Sequence, residues 1–258
     1  METYYINLDR STERRHRIEA CLESFNLKYR RVKAVDANDL SDSEIRDCYD
    51  PAVNPYGYFS TLKKAEIACF LSHRKALKEF LDNSVNEFVL VLEDDAEFVH
   101  DPIPVFKALQ EKISGSKEPL VIKLFSRRNN RKKKLMDLVQ GIYLALPNIC
   151  PLNTSAQIFN RSGALKFLEC TKNIYLPIDV TLQFSSEMPL LVLQMQPNLV
   201  RGVSEEVGGS TISSPSQSIS IDKVAREFRR IAFRFGIWFR TQIPNKRSLA
   251  DIRLAITR

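Results

Sequence analysis

The sequence predicts an α/β fold in which a mainly parallel, Rossmann-like sheet is flanked by helices. Predicted strands and helices alternate over the first 125 residues, and this order is typical of doubly wound folds. The run FVLVL at 88–92 is uniformly apolar, as expected for a central strand that is buried on both faces. With 258 residues, 44% of them hydrophobic and 27% charged, the chain has the composition of a globular protein. Its length suits either one large α/β domain or a domain with an appendage.

Five elements are predicted before residue 100. They are a strand over 4–8, a helix that begins after Ser11, a strand over 28–35, a helix over 64–81 and the strand over 88–92. Ser11 is expected to cap its helix because a serine hydroxyl accepts a hydrogen bond from a backbone N–H of the first turn. Residues 47–60 contain two prolines and a glycine and are predicted to be a loop. The helix over 64–81 has its large apolar residues on one face.

The second half of the chain continues the alternation less regularly. The predicted elements are a helix over 105–113, a strand over 120–125, a strand over 155–159, a helix over 162–168, a short element over 177–180 and a strand over 190–193. The basic run RRNNRKKK at 127–134 predicts an exposed loop. Residues 208–220 are rich in glycine and serine and also predict a loop.

The tail of the chain has a different character and suggests a division into residues 1–220 and 221–258. Large apolar residues recur there at helical spacing, with arginines and lysines on much of the remaining surface. The apolar residues are Ile221, Val224, Phe228, Ile231, Phe235 and Trp238. Such a basic amphipathic helix either packs on the domain as a terminal helix or lies on an anionic membrane leaflet. Both interpretations stay open at this point.

Charge and cysteine usage restrict the partners and the compartment. Lys and Arg number 38 against 31 acidic residues, giving a net charge of +7, and this excess suggests an anionic partner. The five cysteines form no CxxC pair, which favours reduced core thiols in the cytosol over disulfides or a zinc site. The start METYYINLDR lacks a signal-peptide pattern, and the longest uncharged run, 138–160, is too polar to span a bilayer. We therefore expect a cytoplasmic protein.

Three adjacent carboxylates, Glu93, Asp94 and Asp95, follow the apolar strand directly. On a strand Glu93 and Asp95 would point one way and Asp94 the other. Carboxylates this close repel each other and are costly to desolvate, and a divalent cation with oxygen ligands, Mn²⁺ or Mg²⁺, would relieve that cost. The alternative is a solvated acidic turn with no ligand.

Three segments in order, YINLDRSTERRHRIE, AEIACFLSHRKAL and VLVLEDDAEF, closely resemble glycosyltransferase family 25. That family includes bacterial lipopolysaccharide and lipooligosaccharide galactosyl- and glucosyltransferases and the collagen galactosyltransferases. The resemblance runs from Tyr5 to about residue 100 and continues more faintly beyond. The fainter matches are Lys123-Leu124, Ser155-Ala156, Ser162 and Pro177-Ile178-Asp179.

The resemblance implies a GT-A fold, a nucleotide-sugar donor, inversion at the anomeric carbon and a DxD role for the acidic triplet. Asp95 is then the expected direct metal ligand. Glu93 is expected to contact the ribose, or the metal through water, and Asp94 the sugar or the loop below it. A metal ion would also neutralise the charge that develops on the leaving UDP.

The resemblance also places other residues near the donor. The end of the first strand is where GT-A proteins hold uridine, and Ser72 and His73 match the family pattern on the long helix. Arg10 and Arg14 are candidates for the diphosphate because a guanidinium group suits phosphate oxygens. The predicted donor-binding residues are Asn7, Leu8, Asp9, Arg10, Arg14, Ser72, His73, Glu93, Asp94 and Lys123. A surface-charged helix start and a structural histidine are the alternatives.

An inverting transferase needs a general base for the acceptor hydroxyl. His16 and His100 have no motif support and no histidine follows His100, so the base is expected to be a carboxylate. Asp179 in the Pro-x-Asp match is the first candidate, with Glu205 and Glu206 next. The alternative for Asp179 is a helix N-cap.

The sequence as a whole predicts a metal-dependent inverting glycosyltransferase. The expected donor is UDP-galactose, with Mn²⁺ or Mg²⁺, and the expected acceptor is lipooligosaccharide or lipopolysaccharide. Residues 221–240 are expected to place the protein at the inner face of the cytoplasmic membrane, and the loop at 127–134 is either solvated or a contact for an acidic acceptor. The competing classes are a metal-dependent phosphoester hydrolase and a nucleic-acid-binding protein. No nucleic-acid module appears.

Overall fold

The computed structural model describes residues 1–127, 131–203, 221–242 and 248–257. Within these ranges the strands are β1 (Glu2–Asn7), β2 (Arg30–Lys33), β3 (Phe88–Glu93), β4 (Ala96–Phe98), β5 (Leu120–Lys123), β6 (Lys132–Val139), β7 (Ile142–Pro147), β8 (Ala156–Asn160), β9 (Leu191–Gln196) and β10 (Val200–Gly202). The helices are α1 (Thr12–Ser24), α2 (Asp42–Arg46), α3 (Lys64–Asn83), α4 (Ile103–Ile113), α5 (Arg161–Cys170), α6 (Ile178–Thr181), α7 (Ile221–Gln242) and α8 (Leu249–Ile256). A 3₁₀ segment, Leu182–Glu187, follows α6.

Most strands of the described ranges form one sheet in the order β2-β1-β3-β8-β5-β9-β7-β6. β1 pairs in parallel with β2 and β3, and β5 pairs in parallel with β9, whereas the other pairings are antiparallel. Only β7 and β8 therefore run against the common direction of this sheet. The prediction of an α/β fold with a mainly parallel sheet flanked by helices is confirmed.

β3 is buried on both faces, as its apolar sequence predicts. Phe88, Leu90 and Leu92 belong to one hydrophobic cluster, and Val89 and Val91 belong to a second cluster on the opposite face. The first cluster includes residues of α1, α4 and α8, and the second includes residues of α3 and α5. The sheet is thus the middle of three layers, and β3 is held in place from both sides.

The helices that were predicted within residues 1–182 begin and end close to their predicted bounds, whereas α2 and α8 were not predicted as separate helices. The start of α1 also differs from its prediction. Ser11 occupies the N-cap position of α1, yet its side chain makes no cap hydrogen bond, so the predicted hydroxyl cap is wrong. Instead, the Ser11 carbonyl accepts a hydrogen bond of 3.0 Å from Asn7 Nδ2. The end of β1 and the start of α1 are joined through this contact.

The predicted exposed loop over 127–134 is wrong for Lys132–Lys134, which form the start of β6; residues 128–130 lie outside the described ranges. β6 is the last strand of the sheet and pairs only with β7 among the described strands. Leu135 and Leu138 are buried in the first cluster. Lysines on an edge strand keep its free edge from pairing with other chains, so a basic run is compatible with a strand here.

The C-terminal helices pack on the rest of the chain. Phe233 and Ile237 of α7 lie in a small cluster with Leu176 and Phe184, and Ile256 of α8 is fully buried in the first cluster. The interpretation that this segment packs on the domain is correct for these side chains. Residues 208–220 lie outside the described ranges, and the division at 220 stays a prediction. None of the described helices combines the length and the apolar character that crossing a bilayer requires.

Candidate functional site

The site lies along the side of the main sheet where the carboxyl ends of its parallel strands lie next to one another. Asn7, Glu93 and Lys123 are the last residues of β1, β3 and β5, which run in the same direction. β8 runs against them, so Thr154 and Ser155, which precede it, lie at the same edge; the Glu93 N–H donates to the Ser155 carbonyl at 2.8 Å. The carboxyl ends of parallel strands are where open α/β sheets bind ligands.

Asp94 is held by groups from β1 and α1. Asn7 Nδ2 donates to Asp94 Oδ2 at 2.8 Å, and Arg14 Nη1 lies 3.3 Å from Asp94 Oδ1. Asn7 is itself fixed, because Arg31 Nε donates to its Oδ1 at 3.1 Å. Burial raises the pKa of Asp94, and the hydrogen bond from Asn7 and the charge of Arg14 oppose that rise only in part. Two of the predicted donor-binding residues, Asn7 and Arg14, thus meet the acidic triplet.

Glu93 is held on the opposite side. His73 Nε2 lies 3.0 Å from Glu93 Oε1, and the Thr154 hydroxyl donates to the same oxygen at 2.6 Å. Burial acts to raise the pKa of Glu93, but the hydrogen bond and charge of His73, with the hydrogen bond from Thr154, outweigh it and keep the pKa below its ordinary value. Glu93 is therefore an ionised carboxylate. Thr154 was not among the predicted site residues.

Asp95 differs from its two neighbours. Its Oδ1 is buried and has no hydrogen-bond partner in the part of the chain that the structure describes. Burial and then the negative charges of Glu93 and Asp94 raise the pKa of Asp95 to about 6, against smaller opposing effects of Arg14 and Ser155. A buried carboxylate oxygen without a donor is costly, and it is an oxygen of the kind that Mn²⁺ and Mg²⁺ take as a ligand. The three carboxylates of Glu93, Asp94 and Asp95, called the acidic corner below, therefore fit a hard divalent cation.

Asn153 connects this corner to Asp179. The Asn153 carbonyl accepts a hydrogen bond from the buried Lys123 ammonium, its N–H donates to Asp179 Oδ2 at 3.4 Å, and its Oδ1 accepts from the Ser155 N–H at 2.7 Å. Its φ of 95° is a left-handed value that asparagine tolerates better than most residues. The sequence signal was the polar run NTS after Pro151, which is typical of a turn.

Lys123 and Asp179 lie close enough to influence each other. Burial lowers the pKa of Lys123, and the charges of Cys150, Asp179 and Glu93 oppose that change. Asp179 lies in the first turn of α6, where its Oδ1 accepts from the Val180 N–H at 2.9 Å. The N-cap residue of α6 is Pro177, so the alternative of Asp179 as an N-cap is wrong. A carboxylate and a buried ammonium thus stand beside the acidic corner.

The other predicted site residues have local partners. The Ser72 hydroxyl donates to the Ala68 carbonyl at 2.7 Å and accepts from the Val35 N–H at 2.9 Å, a structural tie within the core. Asp9 forms ion pairs with Arg31 and Lys33, and Arg10 pairs with Asp36. Leu8 is half-buried, and His16 and His100 are exposed. Glu205 and Glu206 lie outside the described ranges.

Comparison with known proteins identifies the class. A sequence profile described as "Glycosyltransferase family 25 (LPS biosynthesis protein)" matches residues 1–182, so the domain is of the glycosyltransferase class. The chain belongs to glycosyltransferase family 25. The family resemblance carried by the three sequence segments is thereby confirmed.

Among the relatives is human procollagen galactosyltransferase 2, which is 35% identical over 103 residues, covering 38% of this chain and 16% of the relative. A human protein named inactive glycosyltransferase 25 family member 3 is 31% identical over 150 residues, covering 56% of this chain and 25% of that protein. The matched part is thus a small share of each relative's length. Because one of these relatives is named inactive, membership of the family does not by itself establish activity.

A solved structure also has a distant likeness to the chain. It is a crystal structure of a variant of Drosophila β-1,4-galactosyltransferase 7 in complex with manganese, UDP-galactose and xylobiose. The TM-score is 0.34 at 9% sequence identity, over 88% of this chain and 79% of the other.

The raised pKa of Asp95 predicts a stability effect. Because its pKa is about 6 in the folded protein and near 4 in an unfolded chain, the folded state binds the proton more tightly. Protonation of Asp95 therefore contributes to the free energy of unfolding. This contribution is fully present below about pH 4 and is lost as the pH rises to about 6. We expect Asp95→Asn to raise the free energy of unfolding at pH 7.5 in EDTA by about 1–3 kcal/mol, with a smaller gain at pH 4.5.

Urea denaturation at the two pH values measures this effect. The matched control is Asp137→Asn on β6, which removes an exposed carboxylate and is expected to change the stability by less than about 0.5 kcal/mol. If Asp95→Asn is less stable than the wild type at pH 7.5, the charge of Asp95 does not destabilise the folded protein, and the prediction is wrong.

Proposed function

We propose that the chain is a metal-dependent, inverting glycosyltransferase that moves a hexose, with galactose as the expected sugar, from UDP to a lipooligosaccharide or lipopolysaccharide acceptor. The observation that carries this proposal is the buried, unpartnered Oδ1 of Asp95 beside Glu93 and Asp94. Family membership gives the class, and this corner is the feature that an active member needs in order to bind a nucleotide diphosphate. If the protein's own side chains compensated all three carboxylates, the acidic corner would not favour binding of a cation.

Asp95 is the residue proposed to hold Mn²⁺ or Mg²⁺ directly, with Glu93 beside it. When bound, the cation neutralises the charge that develops on the diphosphate of the leaving UDP. The protein holds Glu93 through His73 and Thr154, and the ligand oxygens are therefore positioned before the donor arrives. Such preorganisation avoids a reorganisation cost during the reaction.

The groups on the β1 side are proposed to position the donor. Asn7 and Arg14 fix Asp94, and Asp94 is then oriented toward the sugar. Leu8, Asp9 and Arg10 follow β1 and are proposed to contact the uridine side. Since Arg10 pairs with Asp36, binding of the diphosphate by Arg10 would require this exposed pair to open, at a cost of about 1 kcal/mol or less.

Asp179 is the proposed general base. Inversion requires a base that takes the proton from the acceptor hydroxyl while the hydroxyl oxygen attacks the anomeric carbon and UDP departs from the opposite side. Asp179 is linked to the site by the hydrogen bond that it accepts from the Asn153 N–H. Lys123 lies close to both Asp179 and Glu93. The ammonium of Lys123 is proposed to hold these carboxylates at fixed positions near the reacting groups.

The sugar and the acceptor are supported by the relatives alone. The family description refers to lipopolysaccharide biosynthesis, and one relative is named a procollagen galactosyltransferase. These names favour galactose and a bacterial glycolipid acceptor for this chain. A transferase releases UDP only when a sugar acceptor is present, whereas a phosphoester hydrolase needs no acceptor. UDP release with and without acceptor therefore distinguishes the two classes.

The first test uses Asp95→Asn, the variant that is expected to fold with increased stability. We expect Mn²⁺ and UDP together to raise the melting temperature of the wild type and not that of the variant. Transfer from UDP-galactose to deacylated lipooligosaccharide is expected to fall by about 100-fold or more. Glu97→Gln is the control, because the Glu97 carboxylate pairs with Arg17 and Arg201, neither of which is a proposed site residue. Equal stabilisation of wild type and Asp95→Asn by Mn²⁺ and UDP would remove Asp95 from the site.

The second test addresses the base. Asp179→Asn keeps the shape of the side chain and the capacity to accept from the Val180 N–H, so UDP affinity is expected to stay within about threefold of wild type. Turnover is expected to fall by about 100-fold or more, as measured by UDP release at saturating donor and acceptor. A loss of less than about tenfold would assign the proton transfer to another group.

We also propose that α7 places the enzyme on the inner face of the cytoplasmic membrane. Its Phe233 and Ile237 face the domain, whereas Phe228 and Ile231 are exposed on a helix that carries Arg229, Arg230 and Arg234. Exposed apolar residues with neighbouring basic residues favour an anionic interface. The side chains of 221–226 and 238–242 lie outside the described ranges.

Vesicle sedimentation tests this placement. Wild-type protein is expected to sediment with vesicles that contain phosphatidylglycerol more than with neutral vesicles, since the arginines favour anionic lipid. The double variant Phe228→Ser, Ile231→Ser is expected to reduce this binding by about tenfold while leaving transfer to a soluble acceptor unchanged. Equal sedimentation of wild type and variant would overturn the proposal.

A further inference from the structure

A thiol, an imidazole and a carboxylate converge beside the acidic corner. Cys69 and His73 are four residues apart on α3 and therefore lie on the same face of that helix, and Glu93 ends the neighbouring strand β3. One ligand atom from each of the three residues lies within 4.8 Å of the other two. His73 Nε2 lies 3.0 Å from Glu93 Oε1.

This spacing is close to that of a tetrahedral metal site. Bonds of about 2.1 Å at tetrahedral angles place ligand atoms about 3.4 Å apart. Since the three ligand atoms lie within 4.8 Å of one another, side-chain rotations that move them by about 1.5 Å or less bring them to a common centre. The backbones that carry them are fixed, because α3 packs on the sheet through Ile67, Phe70 and Leu77 and β3 is buried on both faces. His73 itself is only 2% exposed.

The donor set selects a different ion from the acidic corner. Sulfur and imidazole nitrogen suit Zn²⁺, whereas Mn²⁺ and Mg²⁺ prefer oxygen. We propose that Cys69, His73 and Glu93 form a Zn²⁺ site, separate from the Asp95 position but sharing Glu93 with it. Three protein ligands leave the fourth tetrahedral position open to water. The thiol proton of Cys69 and the proton on His73 Nε2 leave those atoms and pass to solvent when the Zn–S and Zn–N bonds form.

The shared carboxylate gives the site a consequence for the enzyme. Glu93 directed toward Zn²⁺ is withdrawn from the hydrogen bond with Thr154 and from the donor side. Zn²⁺ is therefore an inhibitor that acts by removing Glu93 from the Mn²⁺–UDP site. This consequence rests on the proposed function, whereas the existence of the Zn²⁺ site does not.

Co²⁺ titration tests the site directly, because Co²⁺ replaces Zn²⁺ and a cobalt–thiolate bond absorbs in the near ultraviolet. Chelator-treated wild type is expected to show this charge-transfer band, with the strong visible bands of tetrahedral Co²⁺, and Zn²⁺ is expected to abolish both. Cys69→Ser is expected to remove the charge-transfer band and to weaken Co²⁺ binding by about 100-fold or more. The control Cys170→Ser removes an exposed thiol at the end of α5 and is expected to keep the band.

A second variant covers the case in which Cys69→Ser does not fold. The chain with its other four cysteines replaced (C21S, C48S, C150A and C170S) retains only Cys69 and is expected to keep the band. No charge-transfer band in the wild type, or a band that survives in folded Cys69→Ser, would overturn the proposal.

A parallel titration follows the melting temperature with Mn²⁺ and UDP in the presence of Zn²⁺. Zn²⁺ is expected to reduce the UDP-dependent stabilisation of wild type at least tenfold more effectively than that of Cys69→Ser. If UDP and Mn²⁺ stabilise neither protein, the proposed function fails, and the cobalt spectra still decide the Zn²⁺ site. If Zn²⁺ affects both proteins equally, the inhibition does not arise through Cys69.

Discussion

The structure depends on how three adjacent carboxylates are accommodated at the end of a buried strand. Glu93 is compensated by His73 and Thr154, whereas Asn7 and Arg14 compensate Asp94 only in part. Asp95 receives no comparable compensation, and its pKa rises accordingly. The protein thus stabilises the charge of Glu93 fully and that of Asp94 in part, and it leaves the charge of Asp95 unfavourable in the absence of a ligand. Groups that destabilise the folded state in this way are typical of functional sites.

The fold holds this arrangement from several directions. β3 is packed between two hydrophobic clusters, so the backbone at Glu93 cannot move away to relieve repulsion. β1, β5 and the start of β8 bring their polar ends to the same edge, and Asn153 extends that edge to α6. The family profile ends at residue 182, yet the buried side chains of α8 belong to the same core as β3. The described C-terminal residues are therefore part of the domain's packing.

The sequence predicted what local periodicity and resemblance determine. β3, α3 and the acidic triplet follow from an apolar run, a helical repeat and a family motif. Neither β6 nor β7 was predicted. The lysines at the start of β6 resemble a solvated loop, although they lie on an edge strand. Thr154 and Asn153 act through contacts between strand ends that no sequence spacing displays. The Cys69–His73–Glu93 cluster joins α3 to β3, with His73 and Glu93 20 positions apart in the sequence.

The relatives include a protein named inactive, so the proposed activity is tested at the acidic corner itself. The most direct test is a crystal structure of the chain soaked with Mn²⁺ and UDP, with anomalous scattering used to locate manganese. The account predicts a manganese peak within about 2.2 Å of a carboxylate oxygen of Asp95, with the diphosphate on the far side of the ion. Bound UDP with manganese elsewhere, or no manganese at Asp95 at saturating concentrations, would contradict it.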